Sequence, residues 1–241
     1  MFYFCKIGNL EVLKSDKLNI THFFTTRNSI LKTKDPVFIQ AAEENKAFFK
    51  NYYNLKRLIS PSQTHTSNVC IVDDNDIYED TDALILDKKD IGIFLNFADC
   101  VPVIMYDTKN NAASIIHAGW RGTKEQIVKK AFYKLNSRYN SNPDDIVALI
   151  GPSICKKCFE TSKDIALMLS ASVSDNSGCA DYIEGKYYAD LKEINKRQMI
   201  DLGIKNIDTA QYCTCCNNDK FFSYRKENKT TNRISAFLTL N

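Results

Sequence analysis

An α/β (α+β) fold is what the sequence predicts: a single domain over residues 1–241, with a mixed β-sheet flanked by helices. Three observations predict it. Short β-rich runs crowd the middle of the chain, amphipathic stretches with clear start and stop residues lie around them, and the two kinds do not alternate regularly. Strand runs in hairpin order favour a mixed sheet, and the missing alternation argues against a plain Rossmann or barrel topology. No internal repeat, low-complexity tract or Pro/Gly/Ser linker divides the chain.

The first helix starts at Pro36, with Asp35 as its cap, and Ala41, Ala42, Ala47 and Phe48 give it an apolar stripe toward Tyr52. After Leu58 the period changes to that of strands. NVCIVD, DALILD, IGIFLNF, VPVIMYD and ASIIHAG follow as one central sheet, with DTKNNA as the turn between the last two. A second helix is expected after Gly122 with Thr123 as cap, since Ile127, Val128, Ala131, Phe132 and Leu135 recur at helical spacing. VALIGPSI reads as a strand, Ser162 to Ser170 as a helix, Asp190 to Leu202 as a helix closed by Gly203, and RISAFLTL as a last strand.

Composition narrows the function classes. The chain is 44% hydrophobic and 25% charged, ordinary values for a globular protein and unlike those of a disordered one. A net charge of +3 from 32 basic and 29 acidic residues provides no large basic field for nucleic acid. No apolar run is long enough for a membrane span, because Asn96 and Asp99 interrupt the longest. Lys6 cuts the first apolar stretch, which argues against an export signal. The 9 cysteines are odd in number and too sparse for a secreted disulfide scaffold, so reduced thiols in the cytoplasm are expected.

Chemistry can be placed on few residues. His65 lies just before a strand run, His117 ends another and is followed by the Gly119 and Gly122 segment, and Cys100 is held between apolar runs beside Pro102. Two imidazoles and a thiolate form a zinc ligand set with one tetrahedral position left for water or substrate. The same proximity would also serve a thiol hydrolase in which His117 activates Cys100. A rival closed site is offered by Cys155 and Cys158 with the cluster Cys213, Cys215 and Cys216, which is read as lacking the usual two-residue gap. Buried thiols and hydrogen-bonded histidines satisfy the same spacing, so the sequence pattern leaves these readings open. Neither a P-loop nor a dinucleotide glycine motif occurs. Arg27 and Arg121 stand at strand-to-loop junctions where a guanidinium can hold an anion.

FADCVPVIMYD and IIHAGWRGT resemble the core signature of the YfiH-like, laccase-domain family, also called multicopper polyphenol oxidase or purine nucleoside phosphorylase family. FFTTR, QTHTSNV, TDALIL, GPSICKKCFE, DLKEINKRQMIDLGI, the Cys213–Thr214 pair and FFSYR stand in the family's order over most of the chain. The resemblance implies a YfiH-like single domain and Zn2+ held by His65, Cys100 and His117. It also makes the other cluster look incidental: Cys158 and Cys213 match the family's motifs, whereas Cys155, Cys215 and Cys216 look like local additions. After FFTTR the chain has NSILKTKDPVF in place of the family's glycine-rich stretch, and Cys155 stands where glycine is usual.

What the resemblance implies for function is purine nucleoside chemistry in the cytoplasm, with a purine nucleoside and phosphate as small-molecule partners. Similar proteins carry out phosphorolysis of adenosine, inosine or methylthioadenosine to base and pentose 1-phosphate, and deaminate adenosine. In that reading Asp99 or Glu160 would move protons, and Arg27 or Arg121 would orient phosphate. Alternatives are a peptidoglycan editing hydrolase that acts on mis-incorporated cell-wall precursors, the Cys100/His117 thiol hydrolase, and a zinc-dependent scaffold. A multicopper oxidase ranks last, because the chain has 3 histidines.

Overall fold

Two six-stranded sheets, rather than the one central sheet expected, form the middle of the computed structural model, which describes residues 1–240. The strands in chain order are β1 (Phe2–Ile7), β2 (Leu10–Ser15), β3 (Thr21–Thr25), β4 (Arg57–Ile59), β5 (Val69–Ile71), β6 (Ala83–Leu86), β7 (Ile91–Phe97), β8 (Val101–Asp107), β9 (Ala112–Ala118), β10 (Ile146–Ile150), β11 (Glu160–Thr161), β12 (Ala180–Ile183), β13 (Lys186–Ala189), β14 (Asn206–Thr209) and β15 (Ile234–Thr239). The helices are α1 (Pro36–Tyr52), α2 (Trp120–Lys124), α3 (Ile127–Tyr139), α4 (Lys163–Ser170) and α5 (Leu191–Asp201). One sheet runs β1-β2-β3-β15-β7-β4, the other β14-β10-β8-β9-β6-β5, and a small third sheet β11-β13-β12. Both large sheets are mixed: β4 with β7, β5 with β6 and β10 with β14 pair in parallel, and the remaining neighbours are antiparallel.

Side-chain alternation along these strands builds four layers. From β7, Ile93, Leu95 and Phe97 face Leu84, Ile104, Ile115 and Leu149 of the second sheet, in the core between the sheets. Phe94 points the other way and packs with Phe23, Phe237 and Phe49 of α1. From β8, Val103 and Met105 join Ile127, Val128, Ala131 and Leu135 of α3 and Ile194 of α5 on the outer face of the second sheet. The order is therefore helix, sheet, sheet, helices.

Helix signals were largely local and hold. Asp35 accepts from Val37 N at 3.1 Å with Pro36 behind it, Ser162 caps α4, Asp190 caps α5, and Gly203 follows α5 at φ 89°. Thr123 is not the cap expected of it. It is buried inside the short helix α2, and the chain breaks at Gln126, whose φ of 57° separates α2 from α3.

Strand register gathers the candidate ligands at one end of the second sheet. Pro102 of β8 pairs with His117 of β9, which places Cys100, two residues before Pro102, at the His117 end of the ladder. Ala83 of β6 pairs with Ile116, so Asp82 comes up beside His117. Val69 of β5 pairs in parallel with Ala83, which brings the 63–68 loop to the same place.

Candidate metal centre

The ligand atoms of His65, Cys100 and His117 all lie within 4.8 Å of one another. His117 is buried, Cys100 half-buried and His65 exposed, so the trio opens outward on the His65 side. Tight backbone makes this possible. His65 and Asp99 both have left-handed backbone, at φ 65° and 83°, a conformation that costs a non-glycine residue free energy and persists only where surrounding contacts enforce it. A Cβ added at Gly119 would stand 3.1 Å from Cys100 Sγ and 3.1 Å from His65 Cδ2, so a glycine there leaves the donor atoms their room.

At His65 the enforcing contacts come from Asp82, an aspartate in the TDALIL run to which the sequence pattern assigned no role. Asp82 is fully buried. Its Oδ1 lies 2.6 Å from His117 Nδ1, and its carboxylate accepts from the backbone N–H groups of Thr64, His65 and Thr66 and from the Thr66 hydroxyl. Burial works against its charge, but the bonds from His117 and Thr66 win and hold its carboxyl below the usual range. A permanent anion on Nδ1 fixes a proton there and leaves the Nε2 lone pair for a metal.

Cys100 and His117 perturb one another. Burial opposes ionisation of both, yet their mutual attraction, with Asp82 behind His117 and His65 beside Cys100, draws the thiol pKa down and the imidazole pKa up. A thiolate with two imidazoles is a donor set that fits zinc. His22 takes no part: it is buried on β3, accepts from Ser15 N through Nε2 and has Ile20 O at Nδ1.

Arg121 lines a cleft beside His65, whereas the other candidates have different partners. A cleft of roughly 410 Å³ at His65 is lined by Thr66, Asn68, Trp120, Arg121 and Lys124, with the Arg121 guanidinium 4.4 Å from the Trp120 ring centre. A larger depression of roughly 780 Å³, between Phe2, Asp208 and Tyr212, borders none of the candidate residues. Asp99 adjoins Cys100, but its two oxygens accept from Thr214 Oγ1 at 2.6 Å and Arg225 N at 2.7 Å. Glu160 is exposed and paired with Lys186 at 2.9 Å. Arg27 stacks on Phe222, donates to Asn218 O and pairs with Glu227, in a tether of the C-terminal segment.

The second thiol group is also assembled. Sγ atoms of Cys155, Cys158, Cys213 and Cys216 lie within 4.8 Å of one another. Cys213 and Cys216 do have two residues between them, a gap hidden in the sequence by the intervening Cys215, which packs against the helix-side core instead.

The family model described as multi-copper polyphenol oxidoreductase laccase matches residues 21–241. The chain belongs to this laccase-like family. Among its relatives, a purine nucleoside phosphorylase of Clostridium acetobutylicum is 31% identical over 232 residues, 93% of each chain. An adenosine deaminase from an unknown prokaryotic organism is 32% identical over 190 residues, covering 72% of this chain and 71% of that one. The crystal structure of Bacillus licheniformis YfiH, 28% identical, superimposes with a TM-score of 0.89 over 99% of both chains. YlmD of Geobacillus stearothermophilus, at 24% identity, shares the fold with a TM-score of 0.88 over 99% of this chain and 98% of its own. Both the phosphorylase and the deaminase carry the names of enzymes that act on purine nucleosides. Among the described residues no helix is long and apolar enough to cross a membrane.

Proposed function

We propose that the chain is a zinc-dependent enzyme that splits adenosine, inosine and methylthioadenosine with phosphate, giving base and pentose 1-phosphate, and that also deaminates adenosine. The observation that carries this reading is the oriented donor set, in which Asp82 fixes His117 while Cys100 and His65 converge on the same point from the outer side. The substrate class follows the names of the similar phosphorylase and deaminase. When bound, zinc would supply Lewis acidity and a water of lowered pKa.

The chain's own residues do the rest. Asp82 keeps the proton on His117 Nδ1 and, through three backbone N–H groups, holds the loop that presents His65. Arg121, braced on Trp120, offers a planar cation at the cleft that can orient phosphate by paired hydrogen bonds. In phosphorolysis an oxygen of hydrogen phosphate forms a bond to the anomeric carbon, the glycosidic C–N bond breaks with its electron pair leaving on the purine, and the proton given up by the phosphate ends on the purine. Asp99 acts here by position: tied to Thr214 and Arg225, it sets the backbone from which Cys100 projects. Only two imidazoles reach the site, since His22 is sequestered, which disfavours a multicopper set.

A second reading uses the same atoms. Asp82, His117 and Cys100 stand in the order of a carboxylate–imidazole–thiol triad, and the lowered thiol pKa suits a nucleophile. One experiment separates the two. Pure protein loaded with zinc is incubated with a nucleoside panel, with and without phosphate, and the products are identified before and after chelation. Base release that requires phosphate and is lost on chelation supports the proposal. Activity that survives chelation but is lost on thiol alkylation favours the triad. Cleavage of a cell-wall precursor peptide, with no nucleoside consumed, favours the editing hydrolase.

A further inference from the structure

We propose that Cys155, Cys158, Cys213 and Cys216 hold a second, structural zinc ion that clips two loops together behind the Cys100 backbone. The four residues form two C-x-x-C pairs, the first around the short 3-10 segment Lys156–Cys158 and the second after β14. A lone bridge between Ser153 and Cys213, together with Thr214 N donating to Ser153 O at 3.2 Å, lays the two segments side by side.

Three features point to a metal. The sulfur separations, all within 4.8 Å, suit a ligand tetrahedron: with zinc–sulfur bonds of about 2.3 Å its edge is about 3.8 Å, so convergence by a few tenths of an ångström to an ångström closes the site. Backbone N–H groups of Cys155 and Cys216 both donate to Cys213 Sγ, at 3.2 and 3.4 Å, an arrangement that favours the thiolate form a metal needs over the weakly accepting neutral thiol. Four thiolates on one zinc carry a net charge of minus two, and the Lys192 ammonium is held beside them by Ala210 O and by Tyr212 O, the residue next to Cys213. A disulfide between Cys158 and Cys216, whose sulfurs are 3.5 Å apart, would use two of the four and leave the N–H groups on Cys213 unexplained.

With four protein donors the site is closed, so its role is structural. What it holds is Asp99. Ile154 N, next to Cys155, donates to Asp99 O at 3.0 Å, Thr214 Oγ1, next to Cys213, donates to Asp99 Oδ1, and Arg225, whose Nη1 donates to Cys158 O, gives its N–H to Asp99 Oδ2. Both arms of the clip thus meet on the residue that precedes Cys100.

Metal counting on the full chain, purified reduced with zinc added, tests the site independently of any activity. Wild type should carry two zinc ions, and a His65→Ala/His117→Ala double variant should keep one. With cobalt in place of zinc, that variant should show the intense sulfur-to-cobalt charge-transfer bands of a four-thiolate site. Cys216→Ala, a change at an exposed position, should lose one zinc equivalent and the stabilisation against heat that zinc confers on the double variant, while the ion at the trio stays. A double variant that binds no zinc and gives no thiolate bands overturns the proposal. So does a Cys158–Cys216 disulfide, found by mass spectrometry in the protein purified without air and with zinc present.

Discussion

Asp82 Oδ1 sits 2.6 Å from His117 Nδ1, and the same carboxylate anchors the backbone of Thr64, His65 and Thr66. One buried anion therefore orients two of the three proposed metal ligands from behind. Asp82→Asn keeps the shape but gives up the charge, and its amide can present a donor where His117 needs an acceptor. Losses of this kind lower metal affinity by about 10–100-fold. Zinc competition with a chelator at neutral pH should show that drop, and unchanged affinity in a folded Asn variant would remove Asp82 from the site.

Cys100 and His117 are expected to govern metal and turnover together. Cys100→Ala and His117→Ala should each lower zinc content at the trio and reduce activity in proportion, since three ligands are the fewest that hold a catalytic zinc. Metal analysis beside single-turnover rates checks this. Full occupancy with either alanine would contradict the assignment.

Arg121 and Arg27 both stand at strand-to-loop junctions in the sequence, yet they should behave differently. Arg121 borders the cleft, whereas Arg27 is engaged with Asn218, Phe222 and Glu227. Hydrogen bonds to a charged partner contribute about 1.5–3 kcal/mol. Arg121→Ala should thus lower kcat/KM for phosphate by about ten- to a hundredfold and leave deamination nearly as it was. Arg27→Ala should instead lower the urea midpoint. The reverse pattern would move the phosphate subsite to Arg27.

The contrast shows which parts of the molecule were legible from the sequence. Caps at Asp35, Ser162 and Asp190 are local hydrogen-bond chemistry, and the helices begin where they predict. Ligand chemistry could only nominate the trio, because buried thiols and hydrogen-bonded histidines satisfy the same spacing, and the family resemblance was what singled it out. Division into two sheets was not legible, since β7 and β8 are buried on both faces and their runs carry no alternation to say which layer they join. Phe2–Ile7 and Leu10–Ser15, read only for an export signal, form a hairpin whose partners, β3 and then β15, lie far along the chain or beyond a turn. Asp82 was hidden for another reason: an aspartate before a strand is ordinary in sequence, and its role appears only when Ala83 pairs with Ile116.

Gly151, at the end of β10, meets a different constraint. A Cβ there would lie 2.3 Å from Phe24 Cε1 and 2.7 Å from Cδ1, and Phe24 is fully buried between the sheets. Gly151→Ala must displace the ring or the strand, an overpacking that costs about 1–3 kcal/mol. Urea unfolding should show that loss, and adding Phe24→Leu should recover part of it. Two additive losses would mean that the clash is not the cause.

His22 supplies the clearest pH dependence away from the metal ligands. Its Nε2 accepts from Ser15 N at 3.2 Å, so that nitrogen is unprotonated, and Nδ1 donates to Ile20 O at 2.9 Å. Burial on β3 disfavours the imidazolium and pushes the pKa down to about 4, against an unfolded value near 6.5. Between these values the unfolded chain binds the extra proton and the folded one does not, so folding stability falls as pH is lowered through that window. The full difference is about 3 kcal/mol, present above pH 6.5 and gone below pH 4. His22→Gln can keep both hydrogen bonds without titrating. Urea unfolding at several pH values from 7.5 to 4 should therefore show wild type losing up to about 3 kcal/mol more than the glutamine variant. Parallel curves for the two proteins would show that His22 ionises in the folded state as readily as in the unfolded one, and that its burial carries no such penalty.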